Sequence, residues 1–119
     1  MHFSRSGPDR ITVTEAHGLL RDGAAVLIDV READEYRAGH APGALNLPLS
    51  RLADPDTDTA LPGGPRLVLV CRSGNRSRQA AELLAAQGIA AVDVVGGMRD
   101  WAVAGLPVRD ADGADGTVI

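Results

Sequence analysis

The sequence has no lysine. All 12 of its basic residues are arginine, set against 16 acidic residues for a formal net charge of −4 over 119 residues. That absence excludes a pyridoxal phosphate Schiff base, a Walker-type phosphate loop and a lysine nucleophile. Aromatic residues make up only 3%, namely Phe3, Tyr36 and Trp101, too few for a stacking platform that binds single-stranded nucleic acid or sugar. A negative balance with no basic stripe also argues against a nucleic-acid partner. The single cysteine, Cys71, excludes an internal disulfide and a multi-cysteine zinc site. No apolar run approaches the roughly 18 residues that span a bilayer, so no membrane partner is expected. The N-terminus, MHFSRSGPDR, carries Arg5 and Arg10 with no apolar run behind them and does not read as a signal peptide. Cytoplasm, where a free thiol stays reduced, is the expected compartment.

What is present suits one small domain, which buries about 65% of its unfolded surface on folding. Residues 1–9 read as a flexible N-terminus, 10–108 as the domain and 109–119 as a flexible acidic tail. Residues 54–65 (DPDTDTALPGGP) read as a surface connection. Asp54, Asp56 and Asp58 in it lack the glycine-centred loop and distal Glu of a calcium site. His2 and His17 show no metal-ligand spacing, so no metal is expected.

Strand and helix signals alternate along the domain. Thr14 is expected to cap a helix over Glu15–Arg21. Ala25–Val30, Arg66–Val70 and Ala91–Val95 are continuous apolar runs of the kind buried in parallel sheets, and Ala44–Leu47 reads as a shorter strand. Helices are expected at Glu32–Ala38, Leu49–Ala53, Ser77–Gln87 and Gly97–Ala104, the last with Trp101 facing inward. This pattern predicts an α/β fold of three layers, an open, mainly parallel sheet with helices on both faces. In such a sheet the ligand sits beyond the carboxyl ends of the strands, where two runs deliver Asp29 and Cys71.

The strand RLVLV leads straight into Cys71-Arg72-Ser73-Gly74-Asn75-Arg76-Ser77, and a helix follows. A thiol at that junction meets the positive end of a helix dipole and unpaired backbone N–H groups, which favour thiolate. Gly74 permits the positive φ of a tight loop, and successive N–H groups can turn inward as an anion nest. Arg72 and Arg76 add positive charge. Arg78 reads as the i,i+4 partner of Glu82. Ser77 reads as a helix N-cap rather than an acid catalyst. Arg76 has two readings, substrate contact or a brace bonded to carbonyls or to Asp29. Asp29 reads as a turn cap or a partner of Arg31 or Arg76 rather than a general base. His40 and Trp101 read as framework.

The string Cys71–Ser77 resembles the active-site loop of the rhodanese sulfurtransferases. Upstream, Leu27-Ile28-Asp29-Val30-Arg31-Glu32, with Glu35-Tyr36 and Gly39-His40-Ala41-Pro42-Gly43-Ala44-Leu45-Asn46-Leu47-Pro48, is similar to the two framework motifs of that family. Downstream, Val95-Gly96-Gly97-Met98 and Trp101 resemble its closing motif. The resemblance implies a rhodanese-like sheet of about five strands that carries a cysteine persulfide on Cys71, with no cofactor. The implied partners are a small anionic sulfur donor such as thiosulfate and an acceptor that is cyanide or a thiol, a protein thiol included. Arg72, Ser73, Gly74, Asn75, Arg76 and Ser77 would bind the substrate, with Asp29 and Arg31 in support. Related phosphatases and arsenate reductases place one more residue between Cys and Arg than lies between Cys71 and Arg76, which ranks them behind sulfur transfer. A non-enzymatic binding or regulatory module of the same fold is the other alternative.

Overall fold

The apolar runs become five strands: β1 (Arg10–Ile11), β2 (Ala25–Asp29), β3 (Leu45–Asn46), β4 (Arg66–Val70) and β5 (Val92–Val94). A computed structural model describes residues 8–52 and 61–119, so residues 1–7 and the Asp54, Asp56, Asp58 cluster lie outside the described residues. The strands form one sheet in the order β1-β5-β4-β2-β3. Every pairing is parallel, with Asp29 opposite Val70 and Asn46. The expected fold class is therefore found, with a sheet that is wholly rather than mainly parallel. β1 is a short edge strand that the sequence reading did not anticipate. It has two residues and no apolar run to announce it.

Five helices fill the described connections: α1 (Val13–Arg21), α2 (Ala33–Ala38), α3 (Leu49–Leu52), α4 (Asn75–Ala86) and α5 (Gly97–Val103). None is long and apolar enough to cross a membrane. Helix α1 is capped by Thr12, not Thr14, because Thr12 and Glu15 form a reciprocal capping box: each side chain bonds the other's backbone N–H.

Side chains alternate across the sheet with the period of two that strands impose. Leu27, Val68 and Val70 face one way, toward α1, Met98 and Trp101. Ile28, Leu67 and Leu69 face the other way, toward Leu52 and the Ala80, Ala81 and Leu84 stripe of α4. Cys71 continues the Leu67–Leu69 parity and lies on the α4 side. Trp101 is buried as expected, and its indole N–H donates to the Pro107 carbonyl at 2.8 Å.

The segment 109–119, expected to fray, folds back instead. The Asp110 carboxylate accepts the N–H groups of Asp112 and Ala114 at 2.9 and 3.0 Å and so turns the chain. Arg109 and His40 exchange backbone bonds at 2.8 Å, and the Thr117 N–H donates to the Ala38 carbonyl at 2.9 Å. Val118 packs on the core, and Ile119 meets Arg72 of the loop after β4.

Candidate active site

Parallel pairing of β2 with β4 brings Asp29 and Cys71 to the same edge of the sheet, the one where strand carboxyl ends meet helix N-termini. The loop after β4 is then shaped by α5. The Met98 and Arg99 N–H groups donate to the Cys71 and Arg72 carbonyls at 2.8 and 3.0 Å. With those carbonyls drawn toward α5, the loop can turn amides toward the sulfur. Gly97 makes this approach possible: its φ is +57°, and a Cβ there would lie 2.3 Å from the Cys71 carbonyl oxygen. On the sulfur side, the Gly74 N–H donates to Cys71 Sγ at 3.0 Å. Gly74 sits at φ +106°, where an L side chain is strained.

Helix α4 starts at Asn75 with Gly74 as its N-cap, so Ser77 is not the cap that the sequence suggested. The loop closes one turn earlier than expected, which carries Ser77 into the first turn with its side chain fully buried. The Cys71 thiol lies 3.5 Å from Ser77 Oγ as a donor, and the Ser77 hydroxyl donates to Asp93 Oδ2 at 2.8 Å. Asp93, itself buried in β5, accepts from Arg10 Nε and Nη2 at 2.9 and 3.0 Å. Arg10 Nη2 also donates to the Gly74 carbonyl at 2.9 Å. The bonds to Asp93 hold the Arg10 guanidinium above its ordinary pKa. Neither Arg10 nor Asp93 was identified from sequence. The available signal was a carboxylate in the middle of Ala91-Val92-Asp93-Val94-Val95, because a charge inside a doubly covered strand requires a partner.

The three arginines of the loop and the first turn of α4 separate by role. Arg76 does brace the loop, but its partner is Glu35 of α2, not Asp29: Nη1 and Nη2 donate to the two carboxylate oxygens at 2.6 and 2.9 Å. This fork holds the Glu35 carboxyl below its usual range and the Arg76 guanidinium above its own. Arg72 is exposed on the rim, where Nε donates to the Ile119 carbonyl oxygen at 3.1 Å. Arg78 lies 3.9 Å from Glu82 on the helix surface, the pairing expected of it. Ser73 and Asn75 are exposed beside Arg72.

Asp29 takes the structural option. Arg31 wraps back on it with Nε and Nη2 at 3.0 and 2.7 Å, both side chains fully buried, and the Arg31 N–H adds a bond at 3.0 Å. Arg31 Nη2 also ties the Gly39 carbonyl at 2.6 Å, and the Asn46 amide holds the Asp29 and Arg31 carbonyls. His40 stacks on Tyr36 at 3.8 Å and its Nδ1 bonds the Tyr36 carbonyl at 2.7 Å, a framework position.

The rhodanese-like domain model matches residues 12–104. The chain belongs to the rhodanese-like family. A protein of Mycobacterium tuberculosis named as the HTH-type transcriptional regulator Rv0324 is 36% identical over 107 residues, which cover 88% of this chain and 46% of that protein. The chain thus spans about half the length of this curated relative. Among solved structures, a rhodanese-related protein of Thermoplasma volcanium superposes with a TM-score of 0.75 at 31% identity, covering 84% of this chain and 96% of the other. A thiosulfate sulfurtransferase of Pseudomonas aeruginosa shares the fold at TM-score 0.76 and 24% identity, over 94% of this chain and 22% of the other. In this rhodanese-like domain, Cys71 is the sole thiol of the sequence.

Proposed function

We propose that the protein is a sulfurtransferase that carries sulfane sulfur as a persulfide on Cys71. One observation carries the reading: a sulfur set 1% exposed at the end of β4, held by the Gly74 N–H at 3.0 Å and facing the first turn of α4. Such a setting stabilises negative charge on sulfur. The ionised Cys71 sulfur attacks the outer sulfur of thiosulfate or a related donor. The new S–S bond forms as the donor's S–S bond breaks, and the electron pair leaves with sulfite. Cyanide or a thiol then attacks the terminal sulfur, and Cys71 leaves as thiolate. The persulfide extends the side chain by one S–S bond of about 2.05 Å. Arg72, next in sequence and exposed, offers positive charge to an anionic donor.

Burial of Sγ favours a cargo of one atom, and the loop is one residue shorter than that of the related phosphatases. Both features rank sulfur transfer above oxyanion chemistry. The similarity to a named transcriptional regulator supports a second reading, a regulatory module whose persulfide is a signal. Thiocyanate formation from thiosulfate and cyanide distinguishes the two. The first reading predicts many turnovers per molecule and loss to background in Cys71→Ser. A single stoichiometric burst supports the second, and phosphatase activity without sulfur transfer contradicts both.

A further inference from the structure

Two polar groups bond the sulfur, the Gly74 N–H and the Ser77 hydroxyl, and one cation reaches both, Gly74 directly at its carbonyl and Ser77 through Asp93. Arg10 Nη2 bonds the carbonyl of Gly74, whose N–H bonds Sγ. Through Nε and Nη2, Arg10 also holds Asp93, which holds Ser77. Arg10 precedes the segment matched by the family model, which begins at residue 12. We propose that Arg10 and Asp93 are positioning residues for Cys71, fixing from the edge strand β1 and from β5 the two groups that contact its sulfur. This deepens the sulfurtransferase reading but rests only on the sulfur's own reactivity.

A serine hydroxyl has one hydrogen. While Ser77 gives it to Asp93 at 2.8 Å, its oxygen faces the thiol as an acceptor at 3.5 Å. When the sulfur ionises, that oxygen has nothing to accept, and the hydroxyl gains by turning its hydrogen to the sulfur. Asp93 tolerates the loss because each of its oxygens keeps one bond from Arg10. Arg10 therefore allows Ser77 to follow the charge on the sulfur without leaving a buried carboxylate bare. The arrangement predicts opposite effects from the two partners. Removing the Asp93 charge frees Ser77 to donate and favours the ionised sulfur. Removing the Arg10 charge leaves the Gly74 carbonyl with the Arg78 N–H alone, loosens the residue whose N–H bonds the sulfur, strengthens the field of Asp93 and disfavours the ionised sulfur. The other charges near the sulfur are Arg76 of α4 with its partner Glu35 of α2, the Asp29–Arg31 pair beyond β2, and Arg72 on the rim.

The test is the pH profile of Cys71 alkylation by iodoacetamide in the full chain, a readout independent of sulfur transfer. Asp93→Asn should move the midpoint at least about half a pH unit to lower pH, and Arg10→Gln a similar amount to higher pH. In a Ser77→Ala background the Asp93→Asn shift should shrink by at least half, because the hydroxyl that relays it is gone. Arg10→Lys keeps the charge without the fork and should fall between wild type and Arg10→Gln. If Asp93→Asn does not fold, Arg10→Lys and Ser77→Ala decide by the same profile. Midpoints that stay within error of wild type in the folded variants overturn the proposal. A wild type that never loads sulfur, with shifted variant midpoints, overturns the sulfurtransferase reading and leaves the positioning role standing.

Discussion

Two aspartates, Asp29 and Asp93, are buried at the carboxyl edge of this sheet, and each is held by one arginine through a fork. Asp29 meets Arg31 two residues away, with both side chains fully buried. Asp93 meets Arg10 across 83 residues of chain, with its arginine one-third exposed. The first pair spends its remaining bonds on backbone, the Arg31 N–H and the Gly39 carbonyl, while the Asn46 amide separately holds the Asp29 and Arg31 carbonyls. The second spends its remaining bonds on Ser77 and Gly74, which touch the sulfur. The chemistry is the same, but one pair fixes the turn after β2 and the other reaches the groups bonded to the Cys71 sulfur. The destination of the spare hydrogen bonds, rather than burial, is what separates the two pairs.

The comparison can be broken at its structural half first, where the largest effect is expected. Arg31→Ala leaves Asp29 charged and dry, and should cost about 3–5 kcal/mol in urea unfolding. Arg31 also carries the one buried side-chain polar atom without a partner among the described residues, Nη1. Its burial is thus imperfectly compensated, and replacing both partners by apolar residues should recover part of the loss. Asp93→Asn should cost less, about 2 kcal/mol by the same measurement, because Arg10 keeps access to water. A loss at Asp93 as large as that at Arg31 would erase the distinction in stability between the pairs.

The Glu35–Arg76 pair is more open than either and gives the smallest effect. Arg76 holds the Glu35 carboxyl below its ordinary value, so the contribution is present above the unfolded value of about 4.3 and lost as pH falls through the lower folded value. With the arginine side chain 35% exposed, that contribution should be about 1 kcal/mol. Glu35→Gln should therefore destabilise the protein at pH 7 by about this amount. The two proteins should converge in stability as pH falls through that lowered folded value, as read by denaturant midpoints across pH. A difference that persists unchanged in acid would assign the effect to packing instead.

Local signals made most of the fold readable. RLVLV gives β4 with the expected bounds, since a short apolar run between polar residues suits a strand covered on both faces. The sites that were misread depend on partners distant in sequence. Ser77 resembles a cap by type and position, but the loop closes at Gly74, where Arg10 packs against it. Asp29 was one of the partners considered for Arg76; Arg31, two residues on, already occupies that carboxylate, and Arg76 bonds Glu35 instead. The tail looks disordered by composition, yet one aspartate-centred turn returns it to the framework. Composition reports the average cost of ordering a segment, whereas a few specific bonds decide whether that cost is met.

The role of Cys71 as a sulfur carrier is tested most directly by the intact mass of the protein after incubation with thiosulfate. The predicted result is a gain of one sulfur atom that cyanide removes and that Cys71→Ser never acquires. No gain with any sulfane-sulfur donor, or the same gain in the serine variant, would contradict it.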